Sequence, residues 1–234
     1  MMKGWDLEPK SKKNSRTDLS TVLSLLRRDI YSGIRLPRER LVENELAKTF
    51  SVSRVVVREA LSQLQKEDLI IIEPYKGAVV AEISLSHIFE SYQIVAMLEG
   101  FAALLAAERL TPKDFQILEK NLEQQRSLEA GKVQQWQDIN HQFHRTINIK
   151  CNNQRLIDLI SQHSRFTSYW FIVLSAPGRI PTNIEEHASI LKAFSRRDAE
   201  EARRLMERHI IGAAEYLVEF MRENVPVGMW REAK

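Results

Sequence analysis

The chain has 234 residues, of which 44% are hydrophobic and 28% charged, a composition that excludes disordered and fibrous proteins. Its single cysteine, Cys151, excludes an intrachain disulfide and a cysteine-based zinc module, and we expect a reducing, cytoplasmic compartment. The net charge of +3 lies within residues 1–83, because residues 84–234 hold 19 basic and 19 acidic side chains. Without a long uncharged apolar run or an apolar signal segment, we expect no membrane contact.

The first third of the chain predicts three helices followed by a β-hairpin. Residues 1–16 are polar and basic, and we expect a flexible arm there. Apolar residues recur at helical spacing in three stretches: 17–33, 43–50 and 54–67. Two β-branched runs, 69–73 and 78–83, flank a Pro-Tyr-Lys-Gly turn. This order predicts a winged helix-turn-helix domain over residues 17–83.

Residues 84–234 have helical apolar spacing almost throughout. Helices are expected over 86–109, from Pro112 onward, and over 132–149, 153–174, 182–195 and 198–223. Pro181 marks a break before one of them. The sequence therefore predicts a mainly α protein whose second domain is an all-α bundle of about six helices.

The candidate DNA-contacting residues surround the third predicted helix. Arg54 and Arg58 lie one helical turn apart, so they share a face on which arginine can bind guanine bidentately. We expect the remaining contacts from the neighbouring Val55 and Val56 to thymine methyls, from Ser53, Arg38 and Arg40 to phosphates, and from Lys76 with Gly77 at the hairpin turn. The alternative is that both arginines belong to a solvated helix face.

The segment FSVSRVVVREAL, residues 50–61, resembles the GntR family of bacterial transcription regulators. The resemblance implies a homodimer that binds double-stranded DNA at an operator. Two departures stand out: Val55-Val56 replaces the usual Thr-Pro, and Arg38 and Ser51 replace usual glycines. We expect the fold to tolerate both, whereas the operator sequence of relatives does not carry over.

The second domain resembles the FCD effector domain of the FadR-like branch. The matching segments are LEG at 98–100, NHQFH at 140–144, EHASILKA at 186–193 and MERHI at 206–210. In that family one Asp or Asn and three His bind a divalent metal, which implies Asn140, His144, His187 and His209 here. Three imidazoles with an amide oxygen suit zinc or nickel. His141 is the residue most easily mistaken for a ligand.

The effector implied by the resemblance is a small molecule, and a carboxylate is our preferred class. Many relatives place an arginine where this chain has Val95, so we name Arg165 and Tyr169 as replacement contacts. Exposure of both on the bundle surface is the competing interpretation.

The sequence thus predicts a ligand-responsive transcription regulator that is not an enzyme. We expect it to repress transcription and its effector to release it from DNA. Two alternatives stay open. One is a metal-independent regulator whose histidines form a polar core. The other is a metalloenzyme, against which the absence of a His-Glu-x-x-His motif argues.

Overall fold

The computed structural model describes residues 15–31, 34–73, 75–129, 132–164, 178–224 and 230–232. Residues 1–14 of the predicted arm lie outside these ranges. The chain divides into two compact units between Ala81 and Glu82. The fold is mainly helical with a small antiparallel hairpin after the N-terminal helices, which confirms the predicted fold class.

The first unit combines three helices with a hairpin. Its described elements are α1 (Ser15–Tyr31), α2 (Glu43–Thr49), α3 (Arg54–Lys66), β1 (Ile70–Glu73) and β2 (Gly77–Val80). The two strands pair antiparallel, with Ile70 opposite Val80 and Glu73 opposite Gly77. Ile70, Val79 and Val80 are buried in the core, whereas Ile71 and Ile72 are exposed. This is the predicted order of a winged helix-turn-helix.

Helix α1 begins at Ser15, before the start predicted near Thr17 or Asp18. Asp18 therefore lies in the first turn and not at the N-cap. A carboxylate is favourable in the first turn as well, because it interacts with the helix dipole. Helix α1 packs on α3, and Leu26 and Leu64 are fully buried.

Four non-glycine residues of the first unit occupy the left-handed region of backbone conformation: Arg38, Ser51, Asp68 and Tyr75. Arg38 has φ +67° and Ser51 has φ +54°, a conformation that glycine adopts without strain, which fits the glycines that the resemblance implies at these positions. The strain costs about 1–2 kcal/mol per residue. Backbone hydrogen bonds hold both turns, from Arg38 N–H to the Val80 carbonyl at 2.8 Å and from Ser51 N–H to the Lys48 carbonyl at 3.2 Å.

The second unit is a helical bundle. Its described elements are β3 (Ile83–Ser84), α4 (Leu85–Ala106), α5 (Pro112–Ser127), α6 (Val133–Lys150), α7 (Gln154–His163), α8 (Arg179–Ser195), α9 (Ala199–Asn224) and β4 (Trp230–Arg231). Helices α4 and α9 pack along each other at the centre. Gly100 permits this close approach, because a Cβ there would lie 2.5 Å from Cγ of Glu207.

Helix α4 has the length and apolar composition of a membrane span. Half of its most apolar stretch is buried, and fully buried Ala103 and Ala106 belong to the bundle core. Its apolar character thus follows from its central place in the bundle.

Two features of this unit differ from the sequence-based expectation. Pro181 does not precede α8 but lies in its first turn, where the missing N–H has no intrahelical partner to lose. The parallel pairing of Ile83 with Trp230 was not predicted, because two-residue strands leave no periodic signal. Residues 165–174 of the helix predicted over 153–174 lie outside the described residues.

Candidate DNA-contacting surface and metal centre

The N-terminal end of α3 presents two arginines. Ser53 caps the helix by accepting a hydrogen bond from the Val56 N–H at 3.3 Å. The side chains of Arg54 and Arg58 are 60% and 64% exposed. The structure thus brings the two predicted guanine-reading residues together on an open surface.

A carboxylate lies between these arginines. Arg58 donates to Glu43 from Nε at 3.1 Å and from Nη2 at 2.9 Å. Nη2 of Arg54 lies 3.6 Å from the same carboxylate. Sequence reasoning did not predict a role for Glu43. The sequence feature that could have indicated one is its position as an acidic residue at the start of α2, the helix before the turn.

The structure corrects the prediction for Val56. Val55 is 71% exposed, as a base contact requires, but Val56 is only 9% exposed and belongs to the core. Successive residues of a helix point about 100° apart, so three consecutive valines cannot all face the same way. Here Val56 and Val57 face the core and Val55 faces outward. Val56 therefore offers no side chain to DNA.

The remaining predicted DNA contacts lie around the hairpin. Arg38 and Arg40 are exposed, and Arg40 bridges to Val79 of β2. Lys76 is exposed and donates to Glu73 at 2.7 Å. Gly77 has φ +79°, the conformation that a tight turn needs.

Three histidines from three helices meet inside the second unit. His144 of α6, His187 of α8 and His209 of α9 each offer a ligand atom, and these atoms lie within 4.8 Å of one another. Their ring centroids are 4.6–5.3 Å apart. His141 is exposed and not part of this cluster.

Each of the three imidazoles is held from behind through Nδ1. His144 contacts Glu99 at 2.6 Å, His187 contacts Gln125 at 2.9 Å, and His209 contacts Glu186 at 2.6 Å. An acceptor on Nδ1 fixes the tautomer with its proton there and leaves Nε2 as a metal ligand. This is the arrangement that orients metal-binding histidines.

The ionisation of the cluster also suits a cation. Burial, followed by the neighbouring His209 and His144, holds the pKa of His187 well below its usual value, so the ring is neutral at pH 7. Burial opposes ionisation of Glu99, but His144, Asn148 and His209 together outweigh burial and lower the pKa of that carboxyl. A neutral ligand nitrogen backed by a carboxylate is the form that binds a metal.

Two of the buried atoms that lack a hydrogen-bond partner belong to the implied metal ligands. Nε2 of His187 has none, and neither has Oδ1 of Asn140, one turn before His144 on α6. Leaving such atoms unpaired costs about 1–3 kcal/mol each. Their donor chemistry fits a divalent cation.

The comparisons with known families cover both units. The FCD domain family matches residues 90–212, and the family "Bacterial regulatory proteins, gntR family" matches residues 19–80.

The chain belongs to the GntR family.

Its relatives are transcription regulators. The chain is 29% identical to the repressor RspR of Escherichia coli K12, over 87% of this chain and 90% of RspR. It is 35% identical to the gluconate operon repressor of Bacillus subtilis, over 71% of this chain and 68% of that protein. The Escherichia coli McbR/YncC structure superimposes with a TM-score of 0.68 at 26% identity, covering 86% and 97% of the two chains. This GntR protein is therefore a DNA-binding transcription regulator, not an enzyme.

Sequence reasoning missed the acceptors behind the histidines of this GntR protein. Glu99 and Glu186 lie in segments that carry the resemblance to the FCD domain, and this position could have indicated their role. Gln125 lies outside all of these segments. Val95, which replaces an arginine of many relatives, is buried in the core. The predicted effector contacts Arg165 and Tyr169 lie outside the described residues.

Proposed function

We propose that this GntR-family protein is a repressor in which residues 17–83 bind DNA and residues 84–234 bind a divalent metal and a small carboxylate effector. The observation that carries the proposal is the histidine cluster with its three Nδ1 acceptors. It acts in the cytoplasm, where its operator is accessible.

The metal ligands in this proposal are Asn140, His144, His187 and His209, and the ion is zinc or nickel. Imidazole nitrogens suit both ions, and the amide oxygen of Asn140 supplies a neutral fourth donor. When bound, the ion supplies a positive charge that an anionic effector can coordinate. This chain's own residues orient the imidazoles through Nδ1, and burial keeps His187 neutral.

Further buried polar atoms support an effector site beside the metal. Among the described residues, Nε1 of Trp136, Nε of Arg179 and the whole amide of Asn183 lack a hydrogen-bond partner. Trp136 lies two turns before His144 on α6, and Asn183 lies one turn before His187 on α8. Phe143 stacks on His187 with centroids 4.1 Å apart, which brings these helices together. Three unpaired donors favour a carboxylate as their partner.

A cleft beside the cluster supports access for a small molecule. It has a volume of about 1070 Å³ and its lining includes Glu99 and His144. Exposed Arg145 lies in the same lining and attracts anions.

The effector proposal is tested by thermal unfolding and operator release. Gluconate is the first probe, because one relative is a gluconate operon repressor, and sorbitol is the uncharged control. A ligand present at 100 times its Kd stabilises the folded state by about 2.7 kcal/mol, which raises Tm by roughly 5–10 °C. We expect this for one of a series of small carboxylates with zinc-loaded protein, together with release of DNA. Equal stabilisation after chelation would contradict a metal-held effector.

We also propose a homodimer that uses an apolar stripe on α4. Ile94, Met97 and Phe101 are exposed and share one helix face. An exposed apolar cluster of this kind on a helix is typical of a subunit contact, and two-fold symmetry of the protein would match a palindromic operator.

The dimer contact is tested by Met97→Glu, with Gln124→Glu at an exposed position of α5 as the control. We expect Met97→Glu to sediment as a monomer and to bind operator at least tenfold more weakly, because a buried charge is costly and a monomer engages one half-site. If Met97→Glu stays dimeric, the contact lies elsewhere.

A further inference from the structure

The cluster formed by Glu43, Arg54 and Arg58 has a geometry that salt-bridge stability does not explain. Glu43 is the first residue of α2, and its carboxylate contacts both arginines of α3. Both arginine side chains are at least 60% exposed. Ion pairs this exposed contribute little to stability, so the arrangement must be explained by another role.

The orientation of the Arg58 guanidinium supplies one. Glu43 accepts from Nε and Nη2, which form one edge of the planar group. The other edge, formed by Nη1 and Nη2, is the fork that binds O6 and N7 of guanine bidentately. Glu43 therefore fixes the plane of Arg58 through the edge that base recognition does not use.

The charge of Glu43 acts on DNA as well as on the arginines. The hydrogen bond from Arg58 lowers the pKa of Glu43, so the carboxylate is ionised at neutral pH. A negative charge on this surface repels phosphates and weakens binding that depends only on the DNA backbone. It leaves base-edge contacts of a pre-oriented arginine unaffected.

We propose that Glu43 is a positioning residue for sequence recognition: it holds Arg58, and Arg54 beside it, for contact with base edges and disfavours their contact with phosphates. This inference rests on the proposed DNA contacts of Arg54 and Arg58. It predicts that loss of the carboxylate lowers discrimination between sequences more than it lowers overall DNA affinity.

The test compares Glu43→Gln with Glu45→Gln. Both remove one negative charge from α2, and Glu45 is exposed. A DNA motif is first selected from random duplexes with the full-length wild-type protein. Affinities for this motif and for a scrambled duplex are then measured by fluorescence anisotropy over a range of salt concentrations.

We expect Glu43→Gln to reduce the ratio of motif to scrambled affinity about tenfold, within the 1–3 kcal/mol of a bidentate base contact. Its affinity for the scrambled duplex should stay equal or rise, and its Tm should stay within about 2 °C of wild type. Glu45→Gln should keep the wild-type ratio.

Three outcomes would overturn parts of the proposal. An unchanged ratio in Glu43→Gln overturns the positioning role. An equal fall in Glu45→Gln assigns the effect to net charge and also overturns it. If the wild-type protein selects no motif at all, the proposed DNA-reading function itself fails.

Discussion

Replacing His187 by glutamine is expected to abolish metal binding. Purified wild-type protein should contain about one zinc or nickel ion per chain, measured by inductively coupled plasma mass spectrometry, and the variant less than a tenth of that. The reason is that His187 is fully buried, is backed by Gln125 and carries an unpaired Nε2. Glutamine is preferred to alanine because it fills part of the space against which Phe143 stacks.

The matched control for this variant is His141→Gln. His141 lies on the same helix as His144, three residues away, but is exposed and outside the cluster. It should keep the full metal content. Chelation of the wild-type protein should lower its Tm by several degrees, because an ion that binds only the folded state stabilises it. If chelation leaves the Tm unchanged and His187→Gln keeps its Tm without metal, the histidines form a polar core instead.

Replacing Arg54 by alanine is expected to weaken operator binding by the dimer at least about 30-fold, because both protomers lose a base contact. Arg54 opens α3 at the end that enters the major groove in winged helix-turn-helix proteins, and its guanidinium is exposed there. Loss of a bidentate guanine contact costs about 1–3 kcal/mol per protomer. Affinity for a scrambled duplex should fall much less, because that binding depends on phosphates.

Arg28→Ala is the control for this variant. Arg28 also belongs to the first unit, is 64% exposed and loses the same charge, but it bonds its neighbour Asp29 on α1. Its ratio of operator to scrambled affinity should match that of wild type in fluorescence anisotropy. A wild-type ratio in Arg54→Ala would show that α3 is not the reading helix.

Periodicity and the resemblance together predicted the helices and the histidines, but not the residues that support them. His144 and Glu99 are 45 residues apart, and His187 and Gln125 are 62 apart. No local pattern links such pairs, since their contact follows from the packing of helices. Glu186 was visible beside His187, yet it bonds His209 of another helix.

The same limit explains the misassigned valine. Residues 55–57 are three valines in a row, so the apolar pattern leaves open which of them faces inward. Burial of Val57 and Val56 and exposure of Val55 depend on how α3 packs on α1 and α2. By contrast, the departures at Arg38 and Ser51 were correctly expected to preserve the fold, because strain at two positive-φ residues is small beside the buried core.

The charged groups around the histidine cluster determine the net charge of the proposed site. Glu99 and Glu186 are two negative charges, and Arg179, which is buried and bonded to Glu186, is one positive charge. A divalent ion at the proposed site would leave one net positive charge, because Asn140 is neutral where many relatives carry aspartate. A monoanionic effector would neutralise that charge, whereas a dianion would leave a net negative charge in the interior. The effector that fits this interior best therefore carries a single carboxylate.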